Sequence, residues 1–176
     1  MQLRLFRDSH AVTIIAAIHM RDEQPTIRPA TNDDAPALRE LIFTILREFN
    51  LPPDPDNTDA DLNDIESSYF ERGGRFDVLV DGSGEIIGSV GLHRVDEGMI
   101  ELRKMYLRSN ERGKGLGTRL LDHALTEARR MGCRRMTLET ASQLKTAIGM
   151  YTRAGFRPMC GTIHTKRCDQ AYEMEL

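Results

Sequence analysis

The feature that most constrains the fold of this chain is a glycine-rich segment, Arg112-Gly113-Lys114-Gly115-Leu116-Gly117-Thr118. It follows an alternating apolar run at residues 101–107, which predicts a β-strand, and it opens an amphipathic pattern, which predicts a helix. Because glycine has no Cβ, the backbone of this segment can approach a ligand closely. The first N–H groups of a helix lack intrahelical partners and lie at the positive end of its dipole. This unit therefore predicts a phosphate or pyrophosphate site, to which Arg112 and Lys114 add positive charge.

The spacing of the glycines distinguishes between kinds of phosphate-binding loop. A Walker loop requires Gly-Lys-Ser/Thr, whereas here Lys114 is followed by Gly115. A dinucleotide fingerprint requires a third glycine where Thr118 stands and an acidic residue at the end of the next strand. The pattern that fits is Arg/Gln-x-x-Gly-x-Gly/Ala after a strand, formed by Arg112, Gly115 and Gly117. Seven residues alone leave one alternative open, a glycine-rich turn that only caps a helix.

Length and composition predict one globular domain. The 176 residues are 40% hydrophobic and 29% charged, with a net charge of −3. That charge argues against nucleic acid or a membrane surface as the main partner. No apolar run approaches the ~18 residues that a membrane span needs. The three cysteines cannot all pair within the chain and suit a reducing compartment, so we expect a cytoplasmic protein.

Residues 1–24 precede the first predicted element and are expected to form an extension outside the core. The folded domain is assigned to residues 25–176. A short apolar run, Ala11–Ile18, is similar to the centre of a signal peptide, but an aspartate interrupts the basic region and no small-x-small cleavage site follows. A translation start at Met20 explains the extension better.

Strand and helix signals alternate along the folded domain. Strands are predicted at residues 26–30, 76–80, 85–92, 99–107, 135–141, 157–165 and 171–176, and helices at residues 31–49, 60–70, 115–131 and 142–155. Ser142 is expected to cap the last helix, and Gly132 to end the helix before it. His123 is expected on a solvent-exposed helix face.

A second motif, Tyr151-x-x-x-Gly155-Phe156, follows the glycine loop with one strand between them. The two motifs and the order of elements resemble the GNAT (Gcn5-related) N-acetyltransferase superfamily over residues 26–176. The resemblance implies an α/β (α+β) GNAT fold. Its mixed, mostly antiparallel sheet has six to seven strands, with the fourth and fifth parallel and splayed apart, flanked by about four helices. It also implies that the loop Arg112–Thr118 binds the pyrophosphate of acetyl-CoA and that the strand segment Met105-Tyr106-Leu107 contacts the pantetheine arm.

Acetyl transfer to an amine requires a held thioester, a neutral amine and a proton for the departing thiolate. The resemblance implies that Tyr151 is the general acid and that a backbone N–H near Met105 stabilises negative charge on the thioester oxygen. Glu101 stands eleven residues before Arg112, where histone-type members of the superfamily carry a general-base glutamate.

Other roles for these residues remain open at the level of the sequence. Glu101, His93 or a water molecule are the candidate bases. Glu101 can also be a solvent-facing strand residue, an ion-pair partner of Arg103 or Lys104, or a charge that recognises a cationic acceptor. Tyr151 can also be an aromatic anchor that packs its helix on the sheet.

The function implied by the resemblance is acetyl-CoA-dependent N-acetyl transfer to a primary amine by direct attack in a ternary complex. Such an enzyme is an acyltransferase that transfers groups other than aminoacyl groups. The alternative is a non-catalytic acyl-CoA-binding regulatory module that uses the same cleft. The acceptor, a small-molecule or peptide amine, is not identified, and the oligomeric state is left open, a homodimer included. Cys160, His164 and Cys168 are a weak metal signal, and no metal is expected.

Overall fold

A seven-stranded mixed sheet lies at the centre of the computed structural model, which describes residues 24–161 and 163–176. The strands are β1 (Thr26–Pro29), β2 (Arg75–Val80), β3 (Ile86–Arg94), β4 (Met99–Leu107), β5 (Arg135–Thr140), β6 (Arg157–Pro158) and β7 (Gln170–Glu175), in the order β1-β2-β3-β4-β5-β7-β6. Only β4 and β5 pair in parallel, and the other neighbours are antiparallel. The predicted mixed, mostly antiparallel sheet with parallel fourth and fifth strands is confirmed. The predicted extension at residues 1–24 and the start at Met20 lie outside the described residues, Gln24 excepted.

The parallel pairing of β4 with β5 covers only the first half of β4. Met99–Leu102 pair with Arg135–Leu138. Beyond Leu102, β4 continues to Leu107 along β3, while β5 continues to Thr140 along β7. The carboxyl ends of the two strands therefore separate, and a cleft opens within the sheet between them. The predicted splay is confirmed.

Three α-helices of the described chain cover the two faces of the sheet: α1 (Ala35–Glu48), α2 (Leu116–Arg130) and α3 (Lys145–Ala154). Neighbouring residues of β2 belong to different apolar clusters, as the alternation of side chains along a strand requires. Val78 packs in the cluster that contains the buried face of α1, and Leu79 in the cluster that contains those of α2 and α3. Each of the last two helices is followed within two residues by a glycine with positive φ, 77° at Gly132 and 106° at Gly155.

The predicted helix at residues 60–70 is present only as two separate helical turns. The chain forms a 3-10 turn at Ala60–Leu62 and, separately, a π-helical turn at Glu66–Phe70. The Asn32 side chain explains the break, because its oxygen accepts hydrogen bonds from the N–H groups of Ile65 and Glu66 at 2.8 and 3.2 Å. Side chains that bind backbone groups in this way compete with a continuous helix.

Two predictions near the carboxyl terminus are wrong. The strand predicted at residues 157–165 is limited to Arg157–Pro158, and one further backbone hydrogen bond, from the Met159 N–H to the Ala171 carbonyl at 2.9 Å, follows it. Ser142 does not cap α3, which begins three residues later at Lys145. Its N–H and hydroxyl instead donate to the Asp169 carboxylate, each at 2.7 Å, and so attach the start of α3 to the β6–β7 connection.

His123 is not solvated as predicted. Its Nε2 lies 2.9 Å from Oδ2 of Asp77, a buried residue of β2 that also accepts a 2.6 Å hydrogen bond from Arg75 Nε. The polar side of α2 is therefore attached to the sheet by a buried carboxylate. Sequence spacing alone could not indicate this contact, because the two residues are 46 positions apart.

Candidate active site

The glycine loop joins β4 to the first turn of α2. Gly113 and Gly115 have φ of 77° and 81°, the left-handed conformation that glycine adopts without strain. A Cβ built on either residue would have no described protein atom within 4 Å, so this side of the loop faces open space. A Cβ on Gly117 would lie 3.5 Å from Met150 Sδ of α3, so the loop also faces α3. Glycines at the start of a 15-residue helix provide the backbone N–H groups and the clearance that a phosphate group needs.

The two cations of the loop are each paired with a carboxylate. Arg112 Nη2 lies 2.7 Å from Glu48 Oε2, and its guanidinium is stacked 5.3 Å from the ring centroid of Phe49. Lys114 Nζ lies 3.1 Å from Glu111 Oε2. Arg112 Nε also donates to the carbonyl of Leu107 at 3.0 Å, a group expected from the sequence to be available to a ligand. The positive charge at the loop is therefore smaller than the sequence alone predicts.

A β-bulge lies in the part of β4 that borders the cleft. Ser89 pairs with Tyr106 and Gly91 with Arg103, so that Lys104 and Met105 together face a single residue of β3. Lys104 has φ of 49°, and its carbonyl accepts a 2.7 Å hydrogen bond from the buried Ser89 hydroxyl. A bulge removes backbone groups from the regular ladder, and the Met105 N–H belongs to this segment.

Tyr151 reaches the bulge from α3, on the other side of the cleft. Its hydroxyl lies 3.9 Å from Met105 Sδ, and its ring packs edge-on against Phe156 with centroids 5.8 Å apart. The side chain is buried, and this burial raises the pKa of the phenol well above its ordinary value, with a further contribution from Tyr106. The phenol therefore stays protonated at neutral pH, as a proton donor must.

Glu101 and His93 face each other across β4 and β3. Glu101 Oε2 accepts a 2.6 Å hydrogen bond from Arg103 Nη2, so the ion pair considered from the sequence is present. His93 packs edge-on against Tyr69, and its Nδ1 is buried without a hydrogen-bond partner among the described residues. Burial first, and the charge of Arg103 second, lower the pKa of His93. The imidazole is consequently neutral at pH 7 and can accept a proton.

A buried ion cluster beside the bulge was not predicted from the sequence. Lys104 Nζ lies 2.8 Å from Asp59 Oδ1, and Arg167 binds both oxygens of Asp59 at 2.6 and 2.9 Å. The side chains of Lys104, Asp59 and Arg167 are 4, 0 and 8% exposed. The only signal in the sequence is a lysine inside an otherwise half-apolar strand, since the other two members, Asp59 and Arg167, are 45 and 63 positions away in irregular segments.

A cavity of about 330 Å³ opens next to this cluster. It lies between the segment that follows α1 and the β6–β7 connection, and it is lined by Leu51, Pro52, Pro53, Asp54, Thr58, Lys166 and Arg167. Its wall combines an apolar surface with two cations and one carboxylate.

Neither a membrane span nor a metal centre is found in the described part of the chain. Its helices are too short or too polar to cross a bilayer. No three His, Cys, Asp or Glu side chains at residues 24–161 and 163–176 are grouped as metal ligands would be.

Comparisons with known proteins agree with this architecture. A profile described as "Acetyltransferase (GNAT) family" matches residues 39–156. The chain is 35% identical over 139 residues to the uncharacterized N-acetyltransferase YjgM of Escherichia coli, covering 76% of this chain and 83% of that protein. It is 33% identical over 115 residues to an L-methionine sulfoximine/L-methionine sulfone acetyltransferase of Pseudomonas aeruginosa, covering 57% and 66% of the two chains. A GNAT-family acetyltransferase structure from Staphylococcus aureus superposes with a TM-score of 0.81 at 26% identity, over 86% of this chain and 98% of that one.

Proposed function

Because the chain belongs to the Acetyltransferase (GNAT) family, we propose that it is an acetyl-CoA-dependent N-acetyltransferase acting on a primary amine by direct attack in a ternary complex. One observation carries the proposal. The cleft between β4 and β5 has the open glycine loop at its end, the Met105 bulge on one wall and the Tyr151 phenol 3.9 Å from the Met105 side chain on the other. Bound acetyl-CoA supplies the acetyl group as a thioester.

The glycine loop and β4 hold the co-substrate in this proposal. The N–H groups of Gly113–Thr118 and the positive end of α2 bind the pyrophosphate. Backbone groups of Met105, Tyr106 and Leu107 pair with the pantetheine amides along the edge of β4 that β5 leaves. The Leu107 carbonyl takes part only if Arg112 gives up its hydrogen bond to it.

Two proton transfers are assigned to side chains of the cleft. The attacking amine loses a proton to Glu101, directly or through water, with His93 opposite it as the alternative base. The Tyr151 hydroxyl gives its proton to the departing sulfur, and the Met105 N–H donates to the carbonyl oxygen as negative charge develops there. The glycine loop alone would also suit a non-catalytic acyl-CoA-binding module. The Tyr151 hydroxyl beside Met105, a proton donor that a binding module does not need, favours the enzyme.

The cavity beside the Asp59 cluster is the proposed acceptor pocket. Its lining carries the cation Lys166 and the carboxylate of Asp54, while Arg167 is already paired with Asp59, and Leu51–Pro53 provide an apolar wall. An amine that also bears an anionic group and a short apolar chain fits this combination. By its name, the Pseudomonas aeruginosa relative acts on amino-acid analogues of this kind. Amino acids and their analogues are therefore the first acceptors to test, before polyamines and peptides.

A thiol-release assay with a panel of amines tests the proposal. We expect acetyl-CoA-dependent release of free thiol with at least one small amine, and binding of acetyl-CoA by calorimetry. Acetyl-CoA binding without turnover of any amine would instead support the regulatory module, and the absence of binding would refute both functions. We place the reaction in the cytoplasm, because Cys133, Cys160 and Cys168 are all free thiols, which a reducing compartment maintains.

A further inference from the structure

We propose that Asp59, Lys104 and Arg167 form a positioning cluster that fixes two acceptor-side segments to the β4 bulge and thereby sets the affinity for the amine. The segments are residues 51–59, which follow α1, and residues 163–169, which precede β7. The inference rests on the proposed acetyl transfer and goes further, since it assigns acceptor binding to three residues that touch neither the glycine loop nor Tyr151.

The cluster joins three parts of the chain through a single carboxylate. Asp59 accepts from Lys104 on one oxygen at 2.8 Å and from Arg167 on both oxygens at 2.6 and 2.9 Å. Its second oxygen also accepts from the N–H of Asp54 at 2.9 Å, which closes the segment 51–59 on itself. Lys104 Nζ donates in addition to the carbonyl of Thr58 at 2.7 Å. Both segments are thus attached to the strand residue that forms the bulge.

Burial makes this attachment depend on all three charges. The Asp59 side chain is fully buried, and burial by itself would raise its pKa, but the contacts with Arg167 and Lys104 lower the pKa below its ordinary value. A buried charge that loses its partner keeps its desolvation cost without compensation. Neutralising Asp59 therefore leaves the buried Arg167 unpaired and Lys104 with Asp61 alone at 3.3 Å, so the contacts that attach residues 51–59 and 163–169 to β4 are lost or weakened.

The location of the cluster links it to the acceptor rather than to acetyl-CoA. Thr58 and Arg167 are both in the wall of the cavity. On its other side Lys104 lies 3.3 Å from Asp61, whose second oxygen accepts a 2.6 Å hydrogen bond from the Tyr69 hydroxyl. The Tyr69 ring in turn packs against His93. The cluster therefore connects the proposed pocket to the residues that face the attacking amine.

The chain offers a matched control in Asp77. This carboxylate is as buried as Asp59, with a side-chain exposure of 2%, and it also binds two basic side chains, Arg75 and His123. It attaches α2 to β2 and has no contact with the cavity. Asp59→Asn and Asp77→Asn both remove one buried negative charge, so their effects on stability are comparable while their effects on the acceptor differ.

The experiment measures steady-state kinetics and acetyl-CoA affinity for both variants. Asp59→Asn should lower kcat/KM for the amine by about 10- to 100-fold, mostly through KM, because displacement of positioning groups has effects of this size. Its Kd for acetyl-CoA should stay within about twofold of the parent, and Asp77→Asn should leave both values within that range. An acceptor KM for Asp59→Asn that matches Asp77→Asn, or an equal loss of acetyl-CoA affinity, would overturn the proposal.

Two further measurements keep the proposal testable if Asp59→Asn destabilises the protein or if the proposed activity is wrong. Lys104→Met keeps the length of the side chain and leaves the Asp59–Arg167 pair intact. Combined with Asp59→Asn, it should lower the free energy of unfolding by less than the sum of the two single changes, because the effects of coupled residues are not additive. Hydrogen exchange needs no turnover. Asp59→Asn should speed exchange at residues 163–169, which it does not alter directly, whereas Asp77→Asn should not. Unchanged exchange there would refute the cluster even if no amine were acetylated.

Discussion

Replacing Tyr151 by phenylalanine removes one oxygen atom and should separate catalysis from packing. The ring keeps its edge-on contact with Phe156, and among the described residues the hydroxyl makes only one weak hydrogen bond, to the Met105 sulfur at 3.9 Å. An ordinary hydrogen bond contributes about 0.5–1.5 kcal/mol to stability, and a long bond to sulfur contributes less. The free energy of unfolding should therefore change by less than about 0.5 kcal/mol.

The effect on turnover should be much larger. General-acid assistance is worth ~10²–10⁴-fold, and a thiolate is already a tolerable leaving group, so the low end of that range is expected. A fall in kcat of about 100-fold corresponds to about 2.7 kcal/mol in the activation free energy. The assay is thiol release at saturating acetyl-CoA and amine, with acetyl-CoA affinity from calorimetry and stability from thermal unfolding measured on the same samples.

Tyr172→Phe provides the matched control. Tyr172 is also a buried tyrosine, but its hydroxyl donates to Gln170 at 2.8 Å. Its loss should lower stability by about 1 kcal/mol and leave kcat unchanged.

The raised pKa of Tyr151 adds a test at high pH, because a group with a raised folded-state pKa stabilises the protein below its unfolded pKa of about 10 and loses that contribution as pH rises further. The parent should thus lose more stability above pH 10 than Tyr151→Phe. A kcat for Tyr151→Phe within about threefold of the parent would refute the acid role.

Four further predictions concern the loop, the two candidate bases and the amino-terminal extension. Gly115→Asp should abolish acetyl-CoA binding in calorimetry. Gly132→Asp, at a glycine with similar φ and an equally open Cβ position, should bind acetyl-CoA normally. Equal affinities of the two variants would show that the loop is not the pyrophosphate site. Glu101→Gln should lower kcat and remove the acidic limb of its pH profile, and an unchanged profile would transfer the base role to His93. The lowered pKa of His93 stabilises the fold above the unfolded histidine pKa, so His93→Gln should reduce the loss of stability below pH ~6.5. A chain beginning at Met20 should keep its melting temperature, and a clear loss would show that the residues before it are packed.

Periodicity predicted the elements whose side chains pack in the two apolar clusters on either side of the sheet. Along α2, the buried residues recur at the spacing of a helix face, and β2 and β3 alternate around the turn at Asp81, whose carboxylate accepts from the N–H groups of Ser83 and Glu85. These signals are local, and the forces that produce them act within a few residues. The glycine spacing was equally local, which is why the loop geometry at Gly113 and Gly115 agrees with the sequence.

The failures at residues 60–70 and at His123 have in common a partner that is distant in the chain. Asn32 interrupts the predicted helix at residues 60–70 by binding N–H groups more than 30 positions away. Asp77 binds His123 over a similar separation and removes it from solvent. The bulge at Lys104 was also not predicted, because the side-chain pattern of residues 101–107 gives no sign of an inserted residue. The extra residue is identified only by its pairing with β3.

The pairing of charges around the cleft has a consequence for how ligands are recognised. Arg112 is paired with Glu48 and Lys114 with Glu111, and Asp59 and Asp61 together balance Lys104 and Arg167. Attraction for a pyrophosphate then depends mainly on fixed N–H groups and the dipole of α2, which are properties of the backbone and of glycine spacing. In the proposed function, recognition of the amine depends instead on side chains of irregular segments that long-range ion pairs hold in place. The pyrophosphate site can be predicted from seven consecutive residues, whereas the acceptor site can be identified only in the folded chain.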